Sequence, residues 1–157
     1  MRYWLMKSEP SAFSIDDLRK KNVSGWDGVR NYQARNFMKA MTLGDRAFFY
    51  HSSQEPVGIA GIMEICGLAY PDPTQFDKKD PHYDPKAKPG APVWFHVDVK
   101  FLRKLPRLVG LFELRASPAL KRMALFRLGR VSITPVTAAE WNVVLAMAGG
   151  DGPFIDK

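Results

Sequence analysis

Apolar positions along the 157-residue chain change their period several times, and each change marks an element. Arg2 to Ser8 (RYWLMKS) is apolar at consecutive positions, which predicts a central strand buried on both faces, ended by Pro10. Ser14 followed by Asp17 is a variant of the capping box and opens a short helix. Ala34, Phe37, Met38 and Met41 recur at i, i+3, i+4 and i+7, so a helix with one buried face runs from about Tyr32, with Asn31 as its N-cap. LGDR turns the chain into AFFYH, a strand, which pairs across SSQEP with the longer strand VGIAGIMEI. Gly58 and Gly61 inside that strand predict a bulge or a close backbone approach. Tyr70 to Pro92 loses all period and is rich in Pro, Asp and Lys. A loop of that length in a compact domain is often functional, and Tyr70, Phe76 and Tyr83 punctuate it. Alternation then returns, with Val93, Phe95, Val97, Val99 and Phe101 inward and Trp94, His96, Asp98 and Lys100 on the other face. Leu108 to Arg115 and Pro118 to Leu128 read as helical, with Pro118 near a first turn. RVSITPV reads as a strand. Thr137 and Glu140 form a second capping box on a helix that Gly149 stops.

The predicted order is β-α-α-β-β-(long loop)-β-α-β-α. A mixed α/β domain follows, with a curled or small barrel-like sheet and flanking helices. The expected boundaries are one domain over residues 1–149 and a flexible tail over 150–157. Cys66 is the single cysteine, which excludes an internal disulfide or a Cys-based zinc site and suits a reducing compartment. The apolar runs are far shorter than a membrane span, and no signal peptide is visible, so the expectation is a cytoplasmic protein without a membrane partner.

The net charge of +7 is unevenly placed. Residues 100–130 hold nine Lys or Arg and only Glu113 as an acid; the rest of the chain holds 14 basic and 15 acidic residues. A one-sided basic field draws polyanions and makes their binding salt-sensitive, although such a run also suits a solvated surface.

No Gly-rich phosphate loop, G-x-S-x-G or H-E-x-x-H is present. His51, His82 and His96 fall in different elements, so no metal site and no cofactor are expected. Ser8 or Ser52 with His51 and a carboxylate could form a nucleophile and base. That leaves a hydrolase acting on a modified nucleotide or small heterocycle as the alternative function, with a small-molecule or protein-binding adaptor as a third. A different constellation gathers Lys7, Ser8 and Glu9 at one strand end, His51 and Ser52 at another, and the loops of Trp26 and Tyr83. Such groups offer flat π surfaces and short donors and acceptors, which a planar heterocycle needs. On the residues alone, Trp26 is either a plug for the barrel end or a stacking wall, and Ser8 and Asn31 could simply cap backbone groups.

The stretches YWLMKSEP, WDGVRNYQARNFMKAM, LGDRAFFYHSS, GIAGIMEI, AYPDPTQFDKKDPHYDPK, WFHVDVKF and RVSITPV, in that order from about Arg2 to Ala148, resemble the EVE domain family. The resemblance implies a PUA-like fold, kinship with the YTH domains that read N6-methyladenine, and binding of modified bases without catalysis, with 5-methylcytosine and its oxidised forms as leading ligands. It assigns Lys7 and Ser8 to the pair that ends the first strand, and Trp26 to the first wall of an aromatic cage with Asp27 beside it. His51 and Ser52 would floor the pocket, and Tyr83, or alternatively Trp94, would be the second wall. Asn31 joins the polar groups that read the base edge, and Lys7, Arg127 and Arg130 are expected at phosphate. Glu9 stands where YTH domains carry an Asn, so an adenine preference does not transfer; an ionised Glu accepts only, which suits a cytosine amino group. Thr134 stands where the family often has Gln, and without a long basic N-terminal segment a nuclear role is not the expectation. The expected partner is DNA or RNA offering a single-stranded or flipped-out base to a monomer, because unstacking a base from a duplex costs a few kcal/mol. A methyl group alone discriminates by only about 1–3 kcal/mol, whereas a hydroxymethyl group bonded to Ser8 or Ser52 would be read more sharply.

Overall fold

The computed structural model describes residues 1–149. The expected tail, 150–157, lies outside the described residues. The elements are β1 (Tyr3–Ser8), α1 (Ile15–Lys21), β2 (Val23–Gly25), α2 (Tyr32–Ala40), β3 (Arg46–His51), β4 (Gly58–Pro71), β5 (Phe95–Gly110), α3 (Leu111–Ala116), α4 (Ala124–Arg127), β6 (Ile133–Val136) and α5 (Ala138–Met147). Among the described residues the strands form one six-stranded sheet in the order β2-β5-β4-β3-β1-β6. β1 runs parallel to β3, and the other neighbours are antiparallel.

Local chemistry accounts for the helix starts. Ser14 and Asp17 exchange hydrogen bonds at the head of α1, and Thr137 and Glu140 do the same at α5. Asn31 Oδ1 accepts from the Ala34 N–H at 2.9 Å, so the amide is the N-cap of α2. Side-chain alternation along β1 splits the interior in two. Trp4 and Met6 face α1, α2 and Trp26, while Tyr3 and Leu5 face the cluster of α3, α4 and α5. In the second cluster the fully buried Trp141 stacks on Phe48 at 3.9 Å and on Tyr3 at 4.6 Å. A strand buried on both faces reads as a continuous apolar run, as RYWLM does.

Three parts differ from the sequence expectation. β2 lies in a stretch that reads as loop. It docks by three residues on β5, Gly25 facing Asp98. β5 continues to Gly110, so Leu108 to Gly110 are strand rather than helix, and Pro118 to Leu128 divide into a 3-10 turn (Pro118–Leu120) and the short α4. The Tyr70 to Pro92 segment is not structureless. It begins in β4 and holds a 3-10 turn at Pro73–Phe76, whose Asp72 cap accepts from Thr74.

The long β4 and β5 carry several register shifts, at Ile59/Gly61 and beyond. Such bulges bend and twist a pair. Gly61 lies in this region, and a Cβ there would fall 2.4 Å from Ile15 Cδ1, so the strand and α1 approach through its missing side chain. The sheet curls until β2, one edge, and β1, beside the other edge, wall one cavity. The hydrogen-bond ladder itself stays open, with β2 and β6 as edges.

Candidate functional site

That cavity has a volume of about 620 Å³. β1 and the segment before β6 supply Lys7, Ser8 and Ser132. They are joined by the Lys7 N–H donating to the Ser132 carbonyl at 2.8 Å and by Lys7 Nζ donating to the Gly129 carbonyl at 3.0 Å. Burial pushes the Lys7 ammonium below its ordinary value. Ser8 Oγ donates to the Phe13 carbonyl at 2.6 Å, which holds Phe13 on the lining and leaves the Ser8 oxygen lone pairs as acceptors. Lys21 and Ser24 come from α1 and β2.

Trp26 follows β2, and its N–H donates to the Val97 carbonyl at 2.8 Å. The indole is 6% exposed, meets Phe49 edge-on at 5.2 Å and Phe13 at 6.5 Å, and still lines the cavity. Asp27 beside it is exposed on the lining and forms no hydrogen bond among the described residues.

The Trp26 loop is riveted to the long loop by Asp72 and Arg30. Asp72 is fully buried; its carboxylate accepts from the Gly28 N–H at 2.8 Å, Arg30 Nη1 at 3.1 Å and Thr74 Oγ1 at 2.6 Å. Burial alone would raise this carboxyl, but the hydrogen bonds from Thr74, Gly28 and Arg30 outweigh it and hold it below the usual range. Arg30 also donates to the His82 carbonyl at 2.9 Å and to Thr74 Oγ1 at 2.9 Å. His82 is thereby set against Gly28, whose φ of +81° and missing Cβ admit the ring on the cavity lining. Gln75, also fully buried, donates to the Asp72 and Trp94 carbonyls and accepts from the Val93 and Trp94 N–H groups, tying the loop to the start of β5.

The remaining lining rings are Tyr70 and His96, with centroids 4.2 Å apart. Tyr70 donates to Asp98 Oδ1 at 2.7 Å, and burial together with that carboxylate pushes its phenol up to about 12, so it stays a donor.

The sequence-selected residues therefore separate. Lys7, Ser8, Trp26 and Asp27 share the cavity. Glu9 and Ser52 line an adjoining hollow of about 400 Å³ with Arg130, which shares Lys7, Ser8 and Ser132 with the first. Asn31 is used as the cap of α2. His51 Nε2 accepts from the Ile15 N–H at 3.1 Å, and burial lowers its pKa, so its ring serves α1 and is not paired with Ser8. Tyr83 is not brought to the cavity; its neighbour His82 is. Trp94 is not brought there either: its Nε1 donates to Asp84 at 2.7 Å and its ring packs on Tyr32 at 4.9 Å. Arg127 is exposed and donates to the Arg122 carbonyl at 3.0 Å, outside both hollows. The basic block is likewise dispersed, with Lys104 paired to Asp16 at 2.9 Å and Arg107 to Glu113 at 2.8 Å.

A curled mixed sheet with a hollow of aromatic rings and short polar groups is the architecture of a small ligand-binding module. Residues 2–147 match the family model of the EVE domain, and the chain belongs to that family. Human thymocyte nuclear protein 1 is 48% identical over 164 residues, covering 92% of this chain and 73% of that protein. The crystal structure of the human THYN1 protein in complex with DNA containing 5-methylcytosine superposes with a TM-score of 0.91 at 46% identity, covering 97% of this chain and 100% of that one. The YTH domain of Zygosaccharomyces rouxii MRB1, in complex with N6-methyladenosine RNA, gives a TM-score of 0.54 at 12% identity over 99% of this chain and 91% of that one, a likeness of fold alone. No helix among the described residues is long and apolar enough to cross a membrane.

Proposed function

We propose that this protein binds a modified nucleobase, 5-methylcytosine or an oxidised form of it, as a reader that performs no chemistry on the base. The observation that carries the proposal is the Trp26-walled cavity, in a chain that matches a protein solved with 5-methylcytosine DNA over nearly its whole length. The volume of about 620 Å³ falls within the roughly 300–1,000 Å³ of small-molecule sites. Trp26 offers a stacking face, and Phe13, Tyr70, His82 and His96 are the other rings on the lining, which holds neither Tyr83 nor Trp94. Asp27 is an acceptor suited to an exocyclic amino group, and the Ser8 and Ser24 hydroxyls add short polar contacts. A base reaches such a hollow only when unstacked, so single strands and mismatched sites bind better than intact duplex. The direct test is titration of single-stranded oligonucleotides carrying cytosine, 5-methylcytosine or 5-hydroxymethylcytosine at one position. A preference for the modified bases supports the reading, and equal binding of all three overturns it.

In the same reading, the adjoining hollow takes the backbone phosphate of the bound nucleotide, with Lys7 and Arg130 as its cations. Arg130→Glu is expected to lower the slope of log affinity against log salt by about 1, equally for modified and unmodified strands. Arg127→Glu, outside the hollow, serves as the comparison and is expected to change the slope less. Slopes measured between low and physiological salt decide the point; identical slopes for Arg130→Glu and the native protein remove Arg130 from the phosphate site.

A further inference from the structure

Among the described residues, His96 is a ring on the cavity lining whose polar atoms are buried without a partner. It is 5% exposed, and neither Nδ1 nor Nε2 has a hydrogen-bond partner among the described residues. More than nine in ten buried polar groups are paired, and an imidazole carries at least one donor whichever tautomer it adopts. Leaving such a group unpaired destabilises the fold, and the ring lies on the cavity lining, so the imidazole is available to a molecule bound there.

The ring is held by packing alone. Tyr70 lies against one side, fixed in turn by its hydrogen bond to Asp98. Gly25 lies against another: a Cβ there would fall 2.4 Å from His96 Cε1 and 2.7 Å from Nδ1. Gly25 sits in a regular antiparallel ladder with Asp98 and has no positive φ, so its backbone does not require glycine. Its missing side chain is needed by the imidazole. The chain thus yields a side chain at 25 to seat a histidine at 96 that makes no internal hydrogen bond. The edge carrying Nδ1 and Cε1 faces Gly25.

We propose that His96 is a specificity-determining residue, whose imidazole hydrogen-bonds the polar edge of the base bound in the cavity. This rests on the base-binding reading above and names a residue that neither the motifs nor the aromatic pattern singled out. The group bonded is the amide-like edge of a pyrimidine, where an amino group, a ring nitrogen and a carbonyl lie side by side. A neutral imidazole meets it as donor or as acceptor according to tautomer. Trp26 binds the face of the base, whereas His96 binds its edge, so an abasic nucleotide loses the contact entirely.

The test compares native protein, His96→Phe and His96→Gln, each with a single-stranded oligonucleotide carrying 5-methylcytosine and with the same strand carrying an abasic site. His96→Phe is expected to weaken binding of the 5-methylcytosine strand about tenfold, to leave the abasic strand unchanged, and to melt at the native temperature or above it. That last outcome separates the proposal from a structural role, because replacing a buried unpaired polar group with an apolar ring of similar shape is neutral or stabilising. His96→Gln, which keeps a donor and an acceptor, is expected to retain most of the affinity. In the native protein the imidazole nitrogen resonances of His96 should shift on adding the 5-methylcytosine strand and not on adding the abasic one. Full affinity in His96→Phe, an equal loss for both strands, or unmoved nitrogen resonances while the strand binds would each overturn the assignment. Failure of the native protein to prefer 5-methylcytosine over the abasic strand would instead overturn the base-binding reading itself.

Discussion

Trp26→Ala is expected to reduce binding of a 5-methylcytosine oligonucleotide by tenfold or more, and also to cost about 3–5 kcal/mol of stability. The first figure follows from the roughly 1–3 kcal/mol that an aromatic face contributes to stacking on a base. The second follows from the burial of the indole against Phe13 and Phe49, since truncating a buried Trp leaves a cavity as well as losing transfer free energy. Because the same ring serves core and site, alanine alone does not separate the two. Trp26→Leu does: it returns apolar volume without a π surface. Its stability, measured by urea denaturation, should fall less than that of the alanine variant, while its affinity for the modified strand stays low. Native affinity in a folded Trp26→Leu protein would remove the indole from the site.

Asp72→Ala is expected to lower stability by about 3 kcal/mol, the lower end of the range for breaking a buried ion pair, because the Arg30 side chain keeps 21% of its surface in solvent. The Gly28 N–H and the Thr74 hydroxyl lose their acceptor at the same time. The loops that carry Trp26 and His82 then lose their main tie, so affinity should fall with stability, although Asp72 is not on the cavity lining. pH gives an independent reading. The native Asp72 carboxyl is held below its ordinary value, so its ionised form stabilises the fold. That contribution is complete above the ordinary carboxyl range, about pH 4, and declines as the pH falls through the lowered native value. The stability difference between native protein and Asp72→Asn should therefore be largest near neutrality and shrink in acid. A difference that stays constant from neutral to acid pH would contradict the assignment.

How much of this was readable in the sequence depended on how local each cause is. The caps at Ser14, Asn31 and Thr137 rest on hydrogen bonds three residues away, and all three form. The α2 periodicity and the apolar run of β1 were equally legible. β2 was not, because three residues are too few to show alternation, and what makes them a strand is β5, about 75 residues later. Leu108 to Gly110 read as the start of a helix because Leu108, Leu111 and Phe112 are spaced as a helix would space them, and only pairing with β4 decides. The site shows the same division. The resemblance to YTH domains points to Tyr83 as a second wall, but Arg30 holds the His82 carbonyl and it is His82 that reaches the cavity lining. Trp94, the alternative wall, is engaged by Asp84 and Tyr32. Asp72 and Gln75 were passed over, although Asp-Pro-Thr is an Asx-type turn signal, because their partners lie 42 to 44 and 18 to 19 residues away.

The bond from Lys7 Nζ to the Gly129 carbonyl spans 122 residues. It closes the cavity with groups from the first strand and from the segment that precedes the last. The cavity is therefore complete only once the first strand and the segment before β6 have met, which carries the entropy of closing a long loop. Partly folded chains cannot present it. A base that occupies it binds only the finished structure, and at a hundred times its dissociation constant would stabilise that structure by about 2.7 kcal/mol. Melting temperature against ligand concentration thus reports occupancy without a label, and the modified strand should raise it more than its unmodified counterpart. For the same reason, a change far from the cavity that loosens the meeting of β1 with β6 should weaken binding in proportion to the completed fold it removes.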